Sequence, residues 1–264
     1  YLQQCLASDK KPLGLFLGAG CPMSVANSEA NGPLIPAVAG ITKMVQDALA
    51  SSEKCKDVLK TVQGHFQEDG HEDATVEDML THIRALRAVA GKAEVRGLSA
   101  EALAALDQSI CGFIQKAVDV SLPSATTPYH HLASWVDGIG REKPVEIFTS
   151  NYDLLMEQAL EECGVPYFDG FAGSRKPKFD LRAMEEDELP ARWARLWKLH
   201  GSINWYQMTH GGVFRGTTTE EDAPRRVIHP SYLKYREGRR LPYLAMVDRL
   251  RGFLKQPTAA LVVC

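Results

Sequence analysis

The chain lacks the patterns by which several classes of protein are recognised. Its six cysteines are widely scattered and form no Cys-x-x-Cys pair, so neither a disulfide framework nor a zinc knuckle is indicated. No apolar run approaches the length of a membrane span, and the first residues lack the order of a secretion signal. His-x-x-x-His patterns and nucleophile elbows are absent too. We therefore expect a cytoplasmic protein that makes no membrane contact.

Positive charge is not in excess either. The formal net charge is −3 and the pI is about 6.3, so the composition predicts no direct binding of nucleic acid. The densest basic stretch, residues 234–240, is typical of a solvated loop. Hydrophobic residues make up 45% of the chain and charged residues 24%, the balance of an ordinary folded protein. Its 264 residues suffice for one large α/β domain or two small ones.

Three short segments place small or polar residues where a buried strand is predicted to end. They are LGLFLGAG at residues 13–20, TSNYD at 149–153 and LHGS at 199–202. In an open parallel α/β sheet, the ligand crevice lies at the carboxyl ends of the strands. A glycine loop, an Asn/Asp turn and a His-Gly pair at such ends together predict a nucleotide site with a histidine facing it.

Each of these segments also has an ordinary structural explanation. The Gly-Ala-Gly at residues 18–20 suits a tight turn as well as a phosphate cradle, and the third glycine of the dinucleotide fingerprint is missing. One polar residue of the 149–153 segment would cap the following helix. His200 could be an ordinary core or surface histidine. Cys21 lies where a helix dipole would acidify a thiol, although backbone contact with a ligand is the favoured role.

Apolar periodicity predicts a Rossmann-like α/β fold: a mostly parallel sheet with helices on both faces, plus a helical insertion at about residues 52–123. Buried strands are predicted at residues 13–17, 145–148, 165–168, 196–199 and 259–264. Helices are predicted at residues 37–50, from Thr75 to Gly91, from Ser99 towards Pro123, from Thr127, at 154–163 and at 242–254. The last strand has no helix after it to cover it, so we expect the chain to be the amino-terminal part of a longer protein.

Taken in chain order, the three strand-end segments resemble the sirtuin superfamily. Its signatures are a Gly-Ala-Gly loop, a Thr-x-Asn-x-Asp turn and a catalytic His-Gly, which correspond to residues 18–20, 149–153 and 200–201. Four further segments resemble the sirtuin-like NADases of prokaryotic antiphage defence: TVEDML at 75–80, TPYHHL at 127–132, HPSYLK at 229–234 and AALVVC at 259–264. The resemblance spans essentially the whole chain and is closest to subunits that act with HerA-type hexameric ATPases.

The resemblance implies a sirtuin-like NAD-binding domain over residues 1–264 that is incomplete at its carboxyl end. The family's loop for the adenosine ribose would follow Cys264. Deacylating sirtuins also carry a four-cysteine zinc ribbon after the His-Gly, yet residues 202–228 contain no cysteine. Their Gly-x-Pro-Asp-Phe-Arg segment is replaced by LIPAV at residues 34–38, which lacks the acid and the arginine. We therefore expect no zinc, and protein deacylation is disfavoured.

The resemblance also implies the roles of particular residues in cleaving NAD to nicotinamide and ADP-ribose. Asn151 would hold the ribose hydroxyls and position the attacking water, His200 would act as general base, and Asp153 would orient the nicotinamide-ribose. No acid is needed for the leaving group, because departure of nicotinamide neutralises its ring charge. The residues expected to bind NAD are Gly18, Ala19, Gly20, Cys21, Ser24, Thr149, Ser150 and Gly201.

Three functions follow from the resemblance. The leading one is an NAD glycohydrolase that depletes NAD as an abortive-infection effector, forms a homo-oligomer and has a HerA-type ATPase as partner. Its helical block, residues 75–123, is the candidate surface for self-association. The alternatives are an NAD-dependent protein deacylase and a non-catalytic scaffold that binds NAD or ADP-ribose and regulates an ATPase. The joint presence of Asn151 and His200 favours catalysis, because a scaffold could lose either and still bind.

Overall fold

The chain divides into two compact units, each with its own hydrophobic core. The structure is a computed structural model, and it describes residues 6, 8–27, 32–71, 73–207, 212–216, 225–227 and 241–264. Within these ranges, residues 35–119 form a helical unit, and the residues before and after them form an α/β unit.

Eight α-helices and ten strands lie within the described ranges. The helical unit contains α1 (Val38–Ala50), α2 (Lys56–Glu68), α3 (Val76–Ala90) and α4 (Ala100–Val118). The helices of the α/β unit are α5 (Pro128–Gly138), α6 (Leu155–Glu162), α7 (Leu181–Glu186) and α8 (Tyr243–Leu254). Its strands are β1 (Leu13–Leu17), β2 (Val145–Thr149), β3 (Tyr167–Phe168), β4 (Phe171–Ala172), β5 (Lys178–Phe179), β6 (Ala194–Lys198), β7 (Gly201–Gln207), β8 (Val213–Arg215), β9 (Arg225–Val227) and β10 (Ala260–Val263).

The main sheet has five parallel strands in the order β10-β1-β2-β6-β3. All five residues of β2 and of β6 are buried, as expected for central strands of a parallel sheet. The predicted α/β class with a Rossmann-like parallel sheet is therefore confirmed. Because β1, β2 and β6 are consecutive neighbours, their carboxyl ends lie side by side.

The carboxyl-terminal strand is less buried than its apolar sequence predicted. Three residues of β10 are half-buried, and Val263 is 71% exposed. Among the described strands β10 pairs only with β1, so it lies at an edge of the sheet. An edge position leaves one side of the strand uncovered, which explains the difference.

A second, antiparallel sheet was not predicted from the sequence. Its strands follow the order β4-β5-β8-β7-β9. Four of them are only two or three residues long, too short to show a periodic pattern. The longest, β7, begins three residues after β6 ends, and the chain turns at Gly201, whose φ of +85° is a conformation that favours glycine.

The helical unit is held together by apolar stripes on its four helices, with Val45, Leu80, Leu103 and Ile110 all buried. Helix α3 is capped at Thr75, where the helix was predicted to begin: the Thr75 hydroxyl accepts from the Asp78 amide, and the Asp78 carboxylate accepts from the Thr75 amide at 2.9 Å. Helix α2 was not predicted. This unit also includes α1, so it begins earlier in the chain than residue 52. Its standing as an insertion stays a prediction.

Other general features concern the helices and the cysteines. In the ranges given above, no helix combines the length and the apolar character needed to cross a bilayer. The five cysteines within them, Cys21, Cys55, Cys111, Cys163 and Cys264, are free thiols. The predicted segment at residues 229–234 and the basic stretch at 234–240 lie outside the described residues.

Candidate functional site

The strand register brings the three predicted segments to one edge of the parallel sheet. Leu17 is the partner of Thr149 across β1 and β2, and Thr149 is the partner of Lys198 across β2 and β6. Asn151 and His200 each stand two residues beyond the last paired residue of their strands. The glycine loop, the Asn/Asp turn and the His-Gly pair therefore lie at neighbouring carboxyl ends, where ligands bind in folds of this kind.

Hydrogen bonds hold the side chain of Asn151 against the glycine loop. Its amide nitrogen Nδ2 donates to the Gly18 carbonyl at 2.9 Å, and its backbone N–H donates to the Thr149 hydroxyl at 3.0 Å. That hydroxyl in turn donates to the Leu17 carbonyl at 2.9 Å. Thr149 is buried, whereas Asn151 is half-buried. Thr149 therefore shapes the turn, and Asn151 is fixed in orientation while still reaching the surface.

The two glycines of the loop have different surroundings. The Gly18 amide donates to the Cys264 carbonyl at 3.1 Å, and a Cβ at Gly18 would lie 3.3 Å from that oxygen. Gly18 therefore allows β10 to approach. A Cβ at Gly20 would meet no atom within 4 Å, so its backbone borders open space. The Cys21 amide donates to the Gly18 carbonyl at 3.1 Å, which leaves the exposed Ala19 and Gly20 to offer amides to a phosphate.

Cys21 and Ser24 lie in a single 3-10 turn that follows the glycine loop, Cys21–Ser24. Burial, and next the neighbouring Cys264, raise the pKa of the Cys21 thiol. This shift is opposite to the acidification that a helix dipole would produce. Ser24 is exposed, and its hydroxyl donates to the Cys21 carbonyl at 2.7 Å.

Asp153 is buried at the start of α6. One of its carboxylate oxygens accepts from the Leu155 amide at 3.0 Å. The N-cap residue of α6 is Leu154, so Asp153 bonds the first amide of the helix from one position before the cap. Burial raises the pKa of the Asp153 carboxyl, and the nearby cation of Lys198 acts in the opposite direction. Asp153 therefore shapes the end of the turn that carries Asn151. Its role in orienting the nicotinamide-ribose stays a prediction.

His200 is half-buried in the turn between β6 and β7. The Leu199 amide before it donates to the Thr149 carbonyl at 2.9 Å, and the Ile203 amide after it donates to the Tyr152 carbonyl at 3.0 Å. The histidine turn is therefore tied at both ends to the Asn/Asp turn. Ser202 is fully buried, and in the described part of the molecule its hydroxyl has no hydrogen-bond partner.

Three buried polar residues beneath this edge were not predicted from the sequence. Lys198 and Glu157 form an ion pair with 2.7 Å between Nζ and Oε1. The Tyr129 hydroxyl is buried with no partner among the described groups. Burial, and next the charges of Asp153 and Cys21, raise its pKa. The only sequence signal for Lys198 was a charged residue within an otherwise apolar predicted strand.

A cavity lies elsewhere in the α/β unit. It is open to solvent on one side, has a volume of about 360 Å³, and is lined by Leu181, Met184, Glu185, Leu241, Leu244, Ala245, Asp248 and Arg249. None of the predicted site residues lines it. Over the ranges that the structure describes, no cluster of three or more His, Cys, Asp or Glu side chains is arranged to hold a metal ion.

A comparison with known families bears on this edge. Residues 145–241 match a SIR2-like domain. The match begins at the first residue of β2, and it contains Asn151 and His200 but not the glycine loop. A SIR2-like domain supports the sirtuin-like resemblance and an NAD-related activity. No match to the chain was found among curated proteins.

The residues of the strand-end edge fit NAD. Ala19 and Gly20 present exposed backbone beside open space, as a pyrophosphate requires. Asn151 and His200 are half-buried and carry the hydrogen-bonding groups that ribose hydroxyls need. The only carboxylate in the three segments, Asp153, is buried and is not exposed to repel the phosphates.

Proposed function

We propose that the protein is an NAD glycohydrolase that cleaves NAD to nicotinamide and ADP-ribose. The observation that carries the proposal is the position of Asn151 and His200 on neighbouring strand ends, with the Asn151 amide bonded to Gly18. The SIR2-like match over residues 145–241 supports NAD as the substrate.

In this proposal the residues at the edge have distinct tasks. The amides of Ala19 and Gly20 bind the pyrophosphate. Asn151 binds the ribose hydroxyls and orients the attacking water, and His200 accepts a proton from that water. Asp153 orients the nicotinamide-ribose from the end of the turn. The residues need not protonate the leaving group, because nicotinamide loses its positive ring charge when the glycosidic bond breaks.

Two features of the sequence favour hydrolysis over protein deacylation. The zinc ribbon of deacylating sirtuins has no counterpart in residues 202–228, which contain no cysteine. Residues 34–38 lack the acid and the arginine that deacylases carry in that segment. A deacylase would also release nicotinamide only when an acyl-peptide is present, which separates the two activities in one assay.

The test is NAD turnover by the purified protein, with nicotinamide and ADP-ribose measured by liquid chromatography. His200→Ala should reduce turnover by about 100- to 10,000-fold, the usual contribution of a general base, without a matching loss of thermal stability. His131→Ala is the matched control, because His131 is an exposed histidine on α5. If His200→Ala and Asn151→Ala both kept full turnover, the assignment would be wrong.

Asn151→Ala is the less specific of the two substitutions. It removes a group proposed to bind substrate, and it also removes the hydrogen bond that joins the turn to the Gly18 carbonyl. A loss of activity in this variant therefore combines two effects. His200→Ala carries the primary test for this reason.

We further propose that NAD depletion serves as an antiphage abortive-infection effector in the cytoplasm, with self-association and a HerA-type ATPase as partner. This proposal rests on the sequence resemblance alone. Turnover should be measured with and without a co-encoded ATPase, and mass by light scattering. NAD binding without nicotinamide release under every condition would instead indicate a scaffold.

A further inference from the structure

The last residue of β6 is a buried lysine. Lys198 is 1% exposed, and its ammonium lies 2.7 Å from Oε1 of Glu157. The same ammonium donates to the backbone carbonyl of Asp153. A buried cation is costly unless it is paired and hydrogen-bonded, and both conditions are met here.

The contact with Asp153 connects this cation to the proposed site. Asp153 ends the turn that begins at Thr149 and carries Asn151. Lys198 also precedes His200 by two residues on the neighbouring strand end. The Lys198 ammonium therefore donates to the backbone of the 149–153 turn. Lys198 itself is the last residue of β6, the strand that leads to His200.

We propose that Lys198 is a positioning residue that fixes the 149–153 turn through the Asp153 carbonyl and so presents Asn151 to the substrate. This inference rests on the proposed NAD glycohydrolase function. Glu157 supplies the compensating negative charge through its ion pair with Lys198.

The same strand supplies a matched control. Arg195 is also 1% exposed, and it pairs with Asp187 at 2.7 Å and donates to the carbonyls of Leu189 and Trp193. These partners lie outside the 149–153 turn. Arg195 and Lys198 are thus two buried cations on one strand, of which only Lys198 holds the asparagine turn.

The experiment compares four variants: Lys198→Met, Lys198→Arg, the double variant Lys198→Met/Glu157→Gln, and Arg195→Met. Four quantities are measured for each: the thermal midpoint, hydrogen exchange of residues 149–154 without NAD, and the kcat and KM for nicotinamide release. The double variant removes both charges, so it restores charge balance without restoring the bond to the Asp153 carbonyl.

A positioning role predicts a separation between stability and catalysis. Lys198→Met should lower kcat on the order of 10- to 100-fold, with a smaller change in KM, and should speed exchange in the turn. The double variant should recover the thermal midpoint but not kcat. Lys198→Arg keeps a charged donor and should recover most of kcat. Arg195→Met should lower the midpoint without changing exchange in the turn.

Specific results would overturn the inference. It is wrong if Lys198→Met keeps both kcat and slow exchange in the turn, or if the double variant recovers kcat together with the midpoint. If Lys198→Met does not fold, the double variant decides the comparison. If the wild-type protein releases no nicotinamide, the proposed function fails, and exchange alone tests the part of the inference by which Lys198 fixes the 149–153 turn. Faster turn exchange in Lys198→Met but not in Arg195→Met then supports it, and equal exchange overturns it.

Discussion

Within the described residues, the α/β unit buries six aspartate, glutamate, lysine or arginine side chains, whereas the helical unit buries one aspartate and one histidine. Those of the α/β unit are Glu146, Asp153, Glu157, Asp169, Arg195 and Lys198. Those of the helical unit are His65, which bonds His82 Nε2 at 3.0 Å, and Asp107, which pairs with Arg84 and Arg87.

Burying a charged side chain costs free energy, and apolar packing does not require it. The α/β unit bears this cost more often than the helical unit. A helical unit can be built almost entirely from apolar stripes, and its few buried polar groups join one helix to another. In the α/β unit, Asp153, Glu157 and Lys198 gather beneath the strand ends that carry Asn151 and His200. Clusters of buried charge concentrate at functional sites, so this contrast agrees with the proposed site.

The largest expected effect is in the apolar core of the helical unit. Leu103 on α4 is fully buried, and Leu103→Ala should lower the free energy of unfolding by about 2 to 5 kcal/mol because it leaves a cavity. Hydrogen exchange should accelerate in α1 to α4. The matched variant Leu196→Ala removes a fully buried leucine of β6. Its loss of stability should be measured by tryptophan fluorescence, because all four tryptophans lie in the α/β unit. Unchanged exchange in the helices of Leu103→Ala would contradict this.

The second prediction concerns pH and the α/β unit. Burial raises the pKa of Asp169 from 3.8 to about 6, although Arg215 acts against the shift. The folded protein therefore binds this proton more tightly than the unfolded chain, so this group's destabilising effect is full above about pH 6 and disappears below about pH 4. Relative to Asp169→Asn, the wild type should gain about 1 to 3 kcal/mol between pH 7 and pH 4. Urea unfolding followed by tryptophan fluorescence measures it, and parallel pH profiles would contradict it.

The smallest expected effect has the opposite sign and lies in the helical unit. Burial, and next the charges of His65 and Arg96, lower the pKa of His82 below 6.5. The unfolded chain binds this proton more tightly, so the stability contributed by neutral His82 is lost as pH falls below about 6.5. Because His82 is only partly buried, the difference from His82→Gln should stay below about 1 kcal/mol. Exchange of α2 and α3 at pH 7.5 and 5.5 tests this, with Asp169→Asn as the control.

Much of the fold could be predicted from local sequence patterns. The predicted strands at 13–17, 145–148 and 196–199 are largely apolar segments followed by glycine or polar residues, and helix α3 carries both partners of its capping box. These signals lie within a few residues of one another, so the chain's own periodicity reveals them. The placement of the three strand-end segments at one edge followed from the general rule for parallel sheets.

Other features left no local signal. The second sheet consists mainly of strands of two or three residues, whose pairing depends on distant partners. Helix α2 buries Leu59, Val62 and His65, so one of its three buried positions is a histidine and not an apolar residue. The difference between Gly18 and Gly20 depends on the approach of Cys264, which is far away in the sequence.

The sequence alone determined which residues could do chemistry: a glycine loop, an asparagine turn and a histidine, each after a buried strand. Tertiary structure decided their arrangement, because strand order and register depend on contacts between segments more than a hundred residues apart. It also decided that Lys198 meets Glu157 and the Asp153 carbonyl, since the pairing of a buried cation depends on what packs around it.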